Sequence, residues 1–188
     1  MTSHTPQALA PAGDMFSSSQ LETVNEAVAL AEEVVSNYYK MSTSQWLKRR
    51  YDVRSRMDLS GSEIVDGPFA QVIRYEGRQA ETPLNSRAFD FYKICLQDHA
   101  IQAALRKSPE LALHPLILYV VTHELIHIVR FSTFRQNFHA SEEERWSEEG
   151  RVHAETRKIL EPIDIPGMDA VLGFFSRWQP AMDSLQDF

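Results

Sequence analysis

The stretch Val120-Val121-Thr122-His123-Glu124-Leu125-Ile126-His127-Ile128-Val129 decides how the rest of the chain is read. It lies in an apolar segment that opens at Pro115, a residue tolerated at the first position of a helix, and that predicts a helix to about Arg135. On such a helix His123 and His127, four residues apart, share one face with Cβ atoms ~5–6 Å from each other. Both imidazoles can then reach a single ion at the ~2.0–2.1 Å of a zinc–nitrogen bond. Glu124, beside the first histidine, can reach a water on that ion without ligating the ion itself. Zinc lowers the pKa of its water toward ~7, and a carboxylate so placed takes the proton as the water attacks a polarised carbonyl.

The flanks add to the pentapeptide. The ten residues resemble the long form of the zincin (HExxH) metallopeptidase signature: Val or Thr leads, the residues inside and just after the motif are uncharged, and a hydrophobic residue closes it. A buried active-site helix requires this, because stray charges near the metal would compete for it and cost desolvation. The resemblance implies a small α+β domain, mostly helical, with a small mixed or antiparallel sheet packed on the HExxH helix. It also implies a sheet edge that holds an extended peptide by strand addition, for which Phe69–Tyr75 and Phe89–Leu96 are the candidates.

A catalytic zinc keeps three protein ligands and one open position. The metzincin form, with a glycine and a third histidine soon after the motif, is absent, since Ile128-Val129-Arg130-Phe131-Ser132-Thr133 follows His127. The gluzincin-like form draws a glutamate from a second helix, and Glu148 and Glu149 lie 21 and 22 residues after His127. The helix predicted over Ser141–Leu160 places Trp146, Val152, Thr156, Ile159 and Leu160 on one face at about 100° per residue. Glu149 falls near the middle of that face and Glu148 at its edge, with Glu155 further toward solvent. Glu149 is therefore the expected third ligand, since a carboxylate on an apolar face needs a partner. His153, four residues on, is either a third ligand itself, a support for Glu149, or a donor to the developing oxyanion. His139 is a more distant alternative ligand. Tyr119, one turn before His123, either reaches the site or packs.

Elsewhere the chain reads as one domain over residues 19–188 behind a disordered tail of residues 1–18, rich in Ser, Thr, Pro, Ala and Gly. A helix is predicted from Ser19, capped with Glu22, to about Lys40. Residues 42–87 read as strand and loop. Phe89–Leu96 reads as either a strand or the first half of a helix ending near Lys107, because so short an apolar run has no decisive period. A last helix is expected over Met168–Trp178, with Met168, Trp146 and Trp178 in the core.

Composition excludes several classes. A net charge of −7 gives no electrostatic footprint for nucleic acid. The crowd of basic residues from Lys48 to Arg56 reads as a solvated face, or else an anion site. One cysteine, Cys95, permits neither an internal disulfide nor a cysteine-rich zinc knuckle. No stretch approaches the ~18 apolar residues of a membrane span. The expectation is a cytoplasmic zinc metallopeptidase with a protein or peptide substrate and no nucleic-acid or membrane partner. The alternative is a non-hydrolytic metal protein: a regulatory domain descended from a zincin, or a di-iron carboxylate helical protein, for which Glu124-x-x-His127 has the right spacing.

Overall fold

The computed structural model describes residues 15–47, 50–78, 88–133 and 141–183. Along the chain run α1 (Ser18–Tyr38), α2 (Thr43–Leu47), β1 (Arg50–Arg54), two single 3₁₀ turns, β2 (Ala70–Arg78), β3 (Ala88–Leu96), α3 (Asp98–Lys107), α4 (Leu113–Ser132), α5 (Glu142–Leu160) and α6 (Met168–Asp183). The fold is α+β, mostly helical, with a three-stranded mixed sheet.

Everything is arranged around α4. From Pro115 to Arg130 every residue of it but Glu124 is buried, as an all-apolar helix must be in a globular chain. It packs on α1, α5, α6, β2 and β3. Full burial of one such aliphatic side chain stabilises by roughly 1.5–3 kcal/mol. Leu125, inside the motif, is wholly inaccessible. Leu125→Ala is expected to cost about 2–5 kcal/mol, read as a lower urea midpoint at unchanged slope.

The strand order is β1-β3-β2, with β1 parallel and β2 antiparallel to β3. This settles the two ambiguous stretches. Phe89–Leu96 is the central strand, which explains why Ile94, Cys95 and Leu96 are inaccessible. The segment around Phe69–Tyr75 is an edge, with no strand on its far side among the described residues.

Several boundaries differ from the sequence reading. The first helix is capped by Ser17 with Gln20, not by Ser19 with Glu22, because Ser17 supplies the reciprocal box two residues earlier. Phe16 is buried and its N–H donates to Asp98 at 3.0 Å, so the expected tail does not extend through residue 18. Asp98 also accepts from Arg56 N–H at 3.0 Å, tying the start of α1 to the start of α3. Pro115 is the third residue of α4, still within the first turn where its missing N–H costs nothing. Residues 43–47 are helical rather than strand or loop. Trp146 is exposed, because the first turns of α5 are exposed on all sides, whereas Met168 is buried as expected. The side chain of Trp178 and all of His139 lie outside the described residues. Within the basic stretch Arg54 is a solvated ion-paired residue, held by Asp52 at 2.7 Å.

A polar post fixes the sheet. Glu63 accepts from Lys93 of β3 and Tyr75 of β2 at 2.7 Å each, and from Ser60 N–H at 2.7 Å. The Lys93 ammonium, then Tyr75 and Ser60, hold this carboxyl down at about 2, against an ordinary 4.5. Between those values the unfolded chain binds more protons, so stability rises with pH there. The contribution of Glu63 is complete above pH 4.5 and lost as pH falls through 2. Glu63→Gln is expected to weaken the protein at neutral pH and flatten the acid limb of its stability curve. An acid limb as steep as that of the wild type would show that the post carries no such linkage.

Candidate metal centre

The seam between α4 and α5 brings together residues far apart in sequence. α5 starts at a reciprocal cap in which Ser141 Oγ accepts from Glu144 N–H while the Glu144 carboxylate accepts from Ser141 N–H. Three acidic residues, Glu142, Glu143 and Glu144, occupy its first turn, where the helix dipole favours negative charge. One turn further on the helix meets α4.

There Glu149 faces both motif histidines. Its Oε1 lies 2.8 Å from His123 Nε2 and its Oε2 3.2 Å from His127 Nε2. The two Nε2 atoms are 3.2 Å apart. His153 Nε2 approaches the same Glu149 Oε1 at 3.7 Å. Its Nδ1 shares a 2.8 Å hydrogen bond with the Tyr119 hydroxyl, and Tyr119 stacks on Phe175 of α6 at 3.9 Å between centroids. His123, Glu149 and His153 offer ligand atoms all within 4.8 Å of one another, a group that could hold a metal ion. The donor set fits one. Nitrogen atoms facing each other at this distance around one carboxylate are repulsive unless protons or a cation lie between them, and a cation satisfies all of them together.

The titration behaviour agrees with that chemistry. Burial raises the pKa of Glu149, but His123 and His127 outweigh it and hold the carboxyl well below the ordinary range. Burial drives His153 down to about 4, so its ring is neutral at neutral pH and able to donate a lone pair. Burial raises Glu124, with His123 and His127 pulling the other way. Cys95 is inaccessible and pushed up to about 11 by burial, which removes it as a nucleophile.

A cleft of about 250 Å³ opens on the centre. Glu124, His123, Glu149 and His153 form its polar wall, while Pro68, Phe69 and Ala70, at the entry to β2, line it together with Tyr119, Val120 and Phe175. The edge strand and the motif glutamate thus border one space.

Comparison of the chain with protein-family models, with curated proteins and with solved structures returns no match. No helix is long and apolar enough to cross a membrane among the described residues.

The helical wheel needs one correction. Glu148, placed at the edge by sequence, is the buried glutamate at 6% side-chain exposure, whereas Glu149 is 33% exposed. The buried carboxylate does have its partner, but that partner is Arg130, which donates to it from α4 through Nε and Nη2. Glu155, expected toward solvent, is half-buried, accepting from Tyr39 Oη and lying 3.5 Å from Arg130 Nη1. Arg130 was legible as the single Lys or Arg in the apolar helix. Phe175 and the Pro68-Phe69 wall had no local signal, because only the packing of α6 and β2 brings them to the cleft.

Proposed function

We propose that this chain is a zinc-dependent metallopeptidase in which His123, His127 and Glu149 hold the metal and Glu124 is the general base. The observation that carries the reading is the approach of both Glu149 oxygens to the Nε2 atoms of the HExxH histidines from a second helix. That is the ligand set inferred from the motif and its spacing. Zinc held there would polarise a substrate carbonyl and acidify a water.

The chain's own residues supply the rest. Glu124 borders the cleft and has its pKa raised by burial, bringing it nearer the working pH of a base. It accepts a proton from the attacking water and passes it to the departing amine. Tyr119 and His153, hydrogen-bonded to each other in the same wall, are the available donors to the oxyanion. An extended peptide would pair with the open edge of β2 and set a side chain among Phe69, Val120 and Phe175.

One observation favours a second reading. His153 stands close enough to act as a fourth donor, and four protein ligands would close the coordination, as in structural zinc sites. The chain would then bind metal without hydrolysis. A di-iron site has less support, since it takes four glutamates from four helices and this one gathers its donors from α4 and α5.

Metal content per chain, measured by mass spectrometry after purification without chelator, tests the reading together with a peptide-library digest. One zinc and cleavage are expected. One zinc with no cleavage of any library peptide favours the closed site, two irons favour the di-iron protein, and no metal at all refutes both the peptidase and its alternatives.

A further inference from the structure

We infer that Arg130 is a positioning residue for the metal centre: by clamping Glu148 it sets the rotation of α5 and so decides that Glu149 faces the histidines. The inference rests on the metal reading above and adds a residue to it. Its starting point is that Glu148 and Glu149 are adjacent carboxylates on one helix, about 100° apart around its axis. A rotation of α5 by about that angle would exchange them, presenting Glu148 to His123 and His127 and turning Glu149 away. Something must break that near-degeneracy.

Arg130 does so from the partner helix. It lies three residues after His127 and seven after His123, on the same stripe of α4, and continues the row of groups that face α5. Its guanidinium takes Glu148 in a fork, with Nε on one oxygen and Nη2 on the other at 3.1 Å. Two-point binding fixes the carboxylate plane, which a single charge would not do. Both side chains are buried, at 10% and 6% exposure. A third arm, Nη1, reaches Glu155 at 3.5 Å, two turns further along α5, and Glu155 in turn accepts from Tyr39 at the end of α1. The guanidinium therefore holds α5 at two points along its axis, and α1 backs the second. Rotation of α5 would break both.

Stability alone is a poor reason for such a cluster. Desolvating an ion pair costs about what the pairing returns, and apolar residues of the same volume often serve as well. What a buried fork supplies is a unique arrangement. Here that arrangement leaves one of two tandem glutamates for the metal, and outer groups that orient a ligand typically govern metal affinity by about 10–100-fold.

The test compares cobalt(II) and zinc affinity of the folded full-length chain in wild type, Arg130→Lys, Glu148→Gln and the apolar pair Arg130→Met/Glu148→Met. The circular dichroism and urea midpoint of each metal-free protein are recorded alongside. Glu148→Gln keeps the shape, and the apolar pair keeps the packed volume, so a folded variant is available whichever is the more stable. Affinity is expected to fall about 10–100-fold in both, with an altered cobalt visible spectrum, and to recover in part in Arg130→Lys relative to the apolar pair. A cluster that merely stabilises would lower the urea midpoint and leave affinity and spectrum of the folded protein unchanged, which overturns the inference while leaving the metal site intact. A wild type that binds neither ion overturns the metal reading and this inference with it.

Discussion

Glu124→Gln is expected to lower peptide hydrolysis by about 10²–10⁴-fold while the zinc content stays at one per chain. The substitution keeps the shape and hydrogen-bonding reach of the side chain and removes its ability to take a proton. Glu124 borders the cleft, whereas the close approaches at the centre are among His123, His127, Glu149 and His153, so the amide is expected to leave the metal in place. Its position on α4 is fixed by the buried neighbours Thr122, His123, Leu125 and Ile126, so the amide should occupy the same place without repacking. Single-turnover cleavage of the best library peptide, with metal analysis on the same sample, separates the possibilities. Loss of both metal and activity would make Glu124 a ligand. Undiminished cleavage with metal retained would remove it from the chemistry.

Glu149→Ala is expected to abolish tight metal binding, a larger loss than the ~10–100-fold typical of an outer group. Glu149 supplies both oxygens that face His123 and His127, and Arg130 occupies the neighbouring Glu148. The adjacent carboxylate of α5 is thus held away from the histidines. The most direct readout is thermal. A ligand at a hundred times its Kd stabilises the folded state by about 2.7 kcal/mol, which for a chain of this size is roughly 5–10 °C. Added zinc should raise the melting temperature of wild type by that amount and leave Glu149→Ala where it was. An equal rise in the two proteins would show that zinc sits elsewhere.

The long-range order of the molecule was less legible than its helices. The apolar run from Leu116 to Val121, taken up again by Leu125, Ile126, Ile128 and Val129, announced a central helix because burial on all sides demands apolar residues on all sides. The acidic first turn, Glu142 to Glu144, announced α5 in the same local way. By contrast, Phe89–Leu96 could not be assigned until β1 and β2 were seen to flank it, since pairing on both edges is a property of neighbours rather than of the segment. The wheel for α5 placed Val152, Thr156, Ile159 and Leu160 correctly and erred only near its start, for a related reason. It took Trp146 as a marker of the buried face, but among the described residues nothing covers the first turns of that helix, and the true face is rotated toward Glu148.

By itself the sequence determined the pair of histidines, the adjacent glutamate and the face they share, because a helix repeat of 3.6 residues converts spacing directly into geometry. It also put Glu149 first as the expected third ligand, with His153 and the more distant His139 as alternatives. Which of these faces the motif, and which cleft surrounds it, was decided only by tertiary structure. The rotation of α5 depends on a buried guanidinium from another helix, and the cleft depends on β2 and α6 arriving from distant segments of the chain. Local spacing fixes what one helix presents, whereas the side chains it meets are set by packing energies summed over the whole core.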